Sequence, residues 1–180
     1  MFIILIFLVI SKTTELPGEF IAARGKVAET SRVIVDLTNQ TAGIIERANI
    51  FDSGNDAHNA LTLISTARSN NSQAYNKASL LAQQLEDLAR SLDNIPAKRA
   101  RQLAYESVAV ELSLVSEFIV YTNRLNAFLD VLAQAVSTNF IDKRREVESR
   151  LREVNDQART INTINQEFLR RIGDFDASLL

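Results

Sequence analysis

Apolar residues recur at spacings of three and four from about Pro17 to the C-terminus, and only five Gly and two Pro in 180 residues can interrupt them. That spacing is the period of the α-helix, whose 3.6 residues per turn bring i, i+3, i+4 and i+7 onto one face. A half-buried strand needs alternation with a period of two, and a sandwich or barrel needs frequent turn residues. The chain therefore reads as all-α. Hydrophobic residues make up 46% and charged residues 23%, a balance that supports a buried core rather than disorder.

Three breaks divide the repeat into four long helices. The first helix is expected from about Pro17 to Phe51, with Pro17 in its first turn. Its inner face is read as two seven-residue rows, Phe20, Val27, Ile34, Thr41, Ala48 and Ala23, Thr30, Leu37, Ile44, Phe51, the a and d positions of a coiled-coil-like seam. Asp52-Ser-Gly-Asn-Asp56 forms a turn, and the Ser53/Asp56 spacing resembles a capping box. The second helix runs to about Leu92, with inner rows Ala57, Ile64, Asn71, Ala78, Leu85, Leu92 and Ala60, Ala67, Ala74, Leu81, Leu88, Ile95.

Asp93-Asn-Ile-Pro96 is the second turn, with Asn94 able to cap a third helix over 96–136. The broad apolar face of that helix includes Ala104, Val108, Leu112, Val115, Phe118, Leu125 and Leu129. Ser137-Thr-Asn139 is the third break; without it the third and fourth helices would fuse into one rod. The fourth helix is expected from about Phe140 to Ile172, with inner rows Val147, Val154, Ile161, Phe168, Phe175 and Leu151, Ala158, Asn165, Ile172, and with Gly173 as its stop. Its outer face carries Glu146/Arg150 and Glu148/Arg152 at i,i+4. Helices of similar length joined by short turns favour an antiparallel up-down bundle with coiled-coil-like packing.

Residues 1–12 differ from the rest. Met1 to Ile10 is continuously apolar, too short alone to span a bilayer, without the basic start or small-residue cleavage site of a secretory signal. We read 1–12 as an anchor or signal-like segment and 13–180 as the bundle domain. This implies a membrane-associated or exported protein with an extracytoplasmic bundle.

Few residues suggest chemistry. The absence of Cys excludes disulfides, zinc–thiolate sites and Cys nucleophiles. The single His58, beside a turn, has no HxxxH or ExxH companion, so a His-based metal site is excluded. A net charge of −2 gives no general attraction to nucleic acid, and the basic runs Lys98-Arg99-Arg101 and Lys143-Arg144-Arg145 lack interleaved aromatics. No catalytic residue and no cofactor is expected. Glu111 stands in an apolar row, either buried and paired or at the edge of the face. Asn71, Asn165, Tyr121 and Thr41 form a polar set on inner rows near mid-bundle, read either as a small-ligand site or as a device that fixes helix register.

The stretch from Ala158-Arg-Thr-Ile-Asn162 to Phe175 resembles the Asn-bearing last helix of LemA-type proteins, and the overall plan is similar in outline to them and to the four-helix sensor domains of chemoreceptors. The basic and proline features of the former and the second membrane segment of the latter are missing. From architecture, the expected function is a non-enzymatic, membrane-anchored structural or interaction module with protein partners or self-association. The alternative is a sensor bundle for a small polar ligand at the polar belt.

Overall fold

The computed structural model describes residues 16–53, 56–138 and 140–179, with 49–53 and 140–142 as backbone only. The expected anchor over 1–12 lies outside the described residues, as do parts of the first and third breaks. Helix α1 is Gly18–Ser53, α2 is Ala57–Ser91, α3 is Lys98–Ser137 and α4 is Phe140–Ala177, with a 3₁₀ turn over Leu92–Asn94. At 36, 35, 40 and 38 residues these are rods of about 52–60 Å. Consecutive helices pack side by side and antiparallel, making a four-helix bundle. Among the described residues no helix is long and apolar enough to cross a membrane.

Local chemistry sets the breaks. Asp56 caps α2 itself, its carboxylate accepting from the Asn59 N–H at 3.3 Å, while Ser53 ends α1, so the expected capping box does not form. Asn94 belongs to the 3₁₀ turn rather than capping a helix. Ile95, preceding Pro96, is held extended as proline requires, and α3 begins at Lys98, two residues past Pro96. Ile95 is also buried, so the linker packs as part of the core. Thr138 leaves helical geometry at φ −113°, ψ −92°, so α3 and α4 are separate. The end of α4 lies at Ala177, past Gly173, because Phe175 and Asp176 hold the last turn against α1 (below).

The core follows the predicted rows in α2, from Ala60 to Ile95, and in α4, where Val147, Val154, Ile161, Phe168 and Phe175 are all buried. In α1 the row Phe20, Val27, Ile34, Thr41, Ala48 is buried throughout, and so are Thr30 and Ile44 of the second; Ala23 and Leu37 are only partly buried, while Ser31 and Thr38 also turn inward. Leu112 and Leu151, expected inside, are 40% and 41% exposed. The expected outer pairs on α4 are re-sorted: Lys143 takes Glu146 and Arg144 takes Glu148, each at 2.9 Å, and Arg150 takes Glu153.

Ile161 is fully buried at the middle of α4. Its replacement by Ala removes three buried carbons and leaves a cavity, so Ile161→Ala is expected to lower unfolding free energy by about 2–5 kcal/mol in urea titration, whereas Leu151→Ala should change it little.

Candidate functional site

Most buried hydroxyls are satisfied within their own helix. Thr38 donates to the Ile34 carbonyl and Thr41 to that of Leu37, both at 2.7 Å; Ser107 and Thr122 do the same to Leu103 and Ile119. Asn71 works between helices. Its amide N–H groups donate to the Thr122 carbonyl and the Asn126 side-chain oxygen, both at 2.8 Å, clamping α2 to α3. Tyr121 is buried beside Phe118, ring centroids 5.7 Å apart, and burial pushes its hydroxyl up to about 12.

Asn165 stands elsewhere. The Arg124–Glu153 contact sets the level of α4 beside Asn71, whereas the Glu106–Arg171 and Glu117–Gln157 contacts bracket Asn165 at the height of Glu111. Roughly twelve residues of helix, about 18 Å, separate the two levels. Asn71, Tyr121 and Thr41 thus share one part of the bundle, and Asn165 belongs to another. His58 is exposed at the start of α2.

The more unusual chemistry lies at that second level. Glu111 is 4% exposed, on the central line of the buried face of α3 that also holds Ala104, Phe118 and Leu125. Its Oε1 has no hydrogen-bond partner, and neither does the hydroxyl of Ser31, which is fully buried on α1. Both residues line a small space between α1, α2 and α3 whose accessible lining is wholly apolar, so their oxygens are enclosed by packing. On its other side Glu111 lines a cleft of about 490 Å³, solvent-open portion included, walled by Phe20, Phe168 and Phe175.

Arg24 lies at this cleft and is already committed. Its guanidinium makes a bidentate pair with Asp176 at 3.0 and 3.3 Å and sits 5.7 Å over the Phe175 ring. Desolvation therefore dominates over the attraction of Arg24, and the Glu111 carboxyl is pushed up to about 8. By contrast the exposed Glu167, gripped by Arg170 and Arg171, is held down to about 2.

Glu111 was legible in the sequence as a misfit. Ser31 and Arg24 were not, because the more apolar row of Ala23, Thr30 and Leu37 masked theirs. The signal that finds them is the run Phe20, Arg24, Val27, Ser31, Ile34, Thr38, Thr41, whose spacing alternates four and three without error. Among the described residues no group of three or more His, Asp or Glu could hold a metal ion. No family model, curated protein or solved structure matches the chain.

The raised acid fixes a pH dependence. The folded state keeps the Glu111 proton up to about pH 8, whereas the unfolded chain releases it near 4.5, so the folded state binds more protons in between. Stability should fall as pH rises through that window, by an amount on the order of 5 kcal/mol at most. Urea titrations from pH 5 to pH 9 should show the fall, and Glu111→Gln should flatten it. Asn71→Ala, leaving the Thr122 carbonyl short of a donor, is expected to cost about 1–3 kcal/mol at every pH in the same titrations.

Proposed function

We propose that this chain is a non-enzymatic helical-bundle module, tethered to a membrane or exported through residues 1–12, that assembles with a second copy through the outer face of α3. One observation carries the reading: that face presents Tyr105, Ala109, Leu112, Ser116, Val120 and Asn123 to solvent, a stripe without a charge. Tyr105 and Leu112 are each 40% exposed and Val120 37%. Scattered exposed apolar residues need no explanation, but an uncharged stripe at helix-seam spacing is what a packing partner uses. The outward face of α4 is the opposite case, laced with pairs such as Arg144–Glu148, Arg159–Asp156 and Arg170–Glu167.

The stripe is self-complementary. Antiparallel pairing about a two-fold axis at the level of Leu114, one residue from Ser113, sets Leu112 opposite Ser116, Ala109 opposite Val120 and Tyr105 opposite Asn123. Large residues then meet small ones, and no like charges meet. Tyr105 is pre-positioned, its hydroxyl donating to Asp93 at 2.8 Å. Beyond Asn123 an uncharged groove continues the surface onto α2 through Ser72, Tyr75 and Asn76.

Because the chain has no Cys, one introduced thiol reports on contact unambiguously. With the full chain in intact membranes, mild oxidation of Ser113→Cys is expected to give a disulfide-linked dimer, whereas Thr160→Cys on the outer face of α4 should stay monomeric. Adding Leu112→Glu to Ser113→Cys should abolish the dimer while far-UV circular dichroism stays unchanged. Equal crosslinking at both positions, or at neither, would overturn assembly through α3.

A further inference from the structure

The middle of α2 is built from residues that a helix does not favour. From Ser69 to Asn76 it reads Ser-Asn-Asn-Ser-Gln-Ala-Tyr-Asn, without a charge, in a chain that is 23% charged. Asn and Ser rank low inside helices because their side chains bond nearby backbone in other conformations. Packing accounts for Asn71 and Ala74, the buried members of the stretch. It does not account for Ser72, Tyr75 and Asn76, which are exposed. These three line one side of a groove, and Asn123 and Asn126 of α3 line the other. The groove measures about 620 Å³, solvent-open portion included, within the range of about 300–1,000 Å³ that small-ligand clefts occupy. Its α3 side is held from behind. Asn71, 2% exposed, donates to the Asn126 Oδ1 at 2.8 Å, which fixes that amide and leaves its N–H groups to the groove it lines.

The lining narrows the occupant. No charged side chain lines the groove, so a phosphate or carboxylate would meet no cation there and an amine no anion. A wholly apolar molecule would strip water from the amides and leave them unpaired. A carboxamide sets a donor beside an acceptor, and vicinal hydroxyls, each both donor and acceptor, complete that pattern. The polar groups also come from two facing helices. They can reach hydroxyls spread around a ring, whereas a nucleobase carries its bonding groups on edges in one plane. The Tyr75 ring, 40% exposed, offers an electron-rich face to the partly positive C–H groups of a pyranose.

We propose that the groove between α2 and α3 is a binding site for a neutral sugar of one or two pyranose rings, stacked on Tyr75 and hydrogen-bonded by Asn76, Asn123 and Asn126. Asn71 is a positioning residue that acts through Asn126, so one interhelical bond both sets register and orients a ligand group. The site borders the outer face of α3 and shares Asn123 with it, but one protomer supplies every group it uses.

The test uses the full chain, purified in a detergent without a sugar headgroup, and saturation-transfer NMR with cellobiose, maltose and N,N′-diacetylchitobiose as probes and adenosine as the stacking control. At least one disaccharide is expected to bind saturably below about 10 mM and to shift the side-chain amide signals of Asn76, Asn123 and Asn126. Adenosine should bind at least tenfold more weakly than that disaccharide. Tyr75→Ala should weaken the sugar at least fivefold, and Asn76→Ala combined with Asn123→Ala should abolish binding, with far-UV circular dichroism unchanged because all three residues are exposed. Leu112→Glu, which breaks assembly through α3, should bind the sugar as the parent does, so failure of that assembly and failure of this site are read separately. No saturable binding of any of the three disaccharides, adenosine binding as tight as theirs, undiminished binding by Tyr75→Ala, or loss of the sugar in Leu112→Glu would each overturn the assignment.

Discussion

The contact between the first turns of α1 and the last turn of α4 closes the bundle, and much else depends on it. Consecutive helices are joined by short linkers and pack almost by necessity. The meeting of the first and last is not imposed by connectivity. Phe20 and Phe175 supply it, with ring centroids 5.8 Å apart and planes crossing at 64°, an edge-to-face geometry. The Arg24–Asp176 pair lies against them, its side chains 12% and 28% exposed, sheltered enough to be worth more than a surface pair. Without this closure α4 would have no reason to continue through Gly173. The cleft beside Glu111 would also lose two of its three aromatic walls.

That closure creates an environment in which polar groups are expensive, and the bundle responds in two ways. Around Asn71 itself the polar groups are bonded: its amide reaches two acceptors on α3, and Thr41 and Thr122 bond their own helices. Gln157 does likewise between α4 and α3, its amide donating to the Glu117 carbonyl at 3.0 Å and to its carboxylate at 2.6 Å. These bonds cost little net and fix the register of α3 against both neighbours. At the level of Glu111 the response differs, since an acid and a hydroxyl are buried with unmet capacity. A polar group that fixes register must be bonded to do so, so the two levels perform different tasks.

Legibility in the sequence followed the strength of each helix's pattern. The rows of α2 and the Val147 to Phe175 row of α4 were readable because polar interruptions were few; the second row of α4 lies at the border, with Leu151 outside. In α1 two candidate faces, rotated by one position, compete. The one with Ala23, Thr30 and Leu37 is more apolar, yet Ala23 and Leu37 are only partly buried, while Ser31 and Thr38 of the other are buried as fully as Thr30 or more so. Hydrophobicity alone ranks them wrongly, because Arg24 is a boundary residue whose stem covers Phe175 while its head pairs with Asp176. The partners of Asn71 were not legible for a geometric reason. The 3₁₀ turn and the extended Ile95 between α2 and α3 set the register that brings it to Thr122 and Asn126, and no residue pattern encodes that offset.

Glu111 and Leu112 together show how the whole helix overrides single residues. Each sits where the other's chemistry would be at home. Rotating α3 by about 100°, one residue's turn, would bring Leu112 into the place of Glu111 and carry the acid off the buried line. The same rotation would carry Phe118, Leu125 and Leu129, all within 4% of complete burial, away from the core. At about 1.5–3 kcal/mol for each large side chain, that loss exceeds the cost of one buried, neutral carboxyl and one exposed leucine. The interhelical bonds at Glu106, Glu117, Thr122 and Arg124 would break as well. The inversion is therefore a stable property of the fold. It leaves α3 with an acid facing the interior and a leucine facing outward, and packing within one bundle calls for neither.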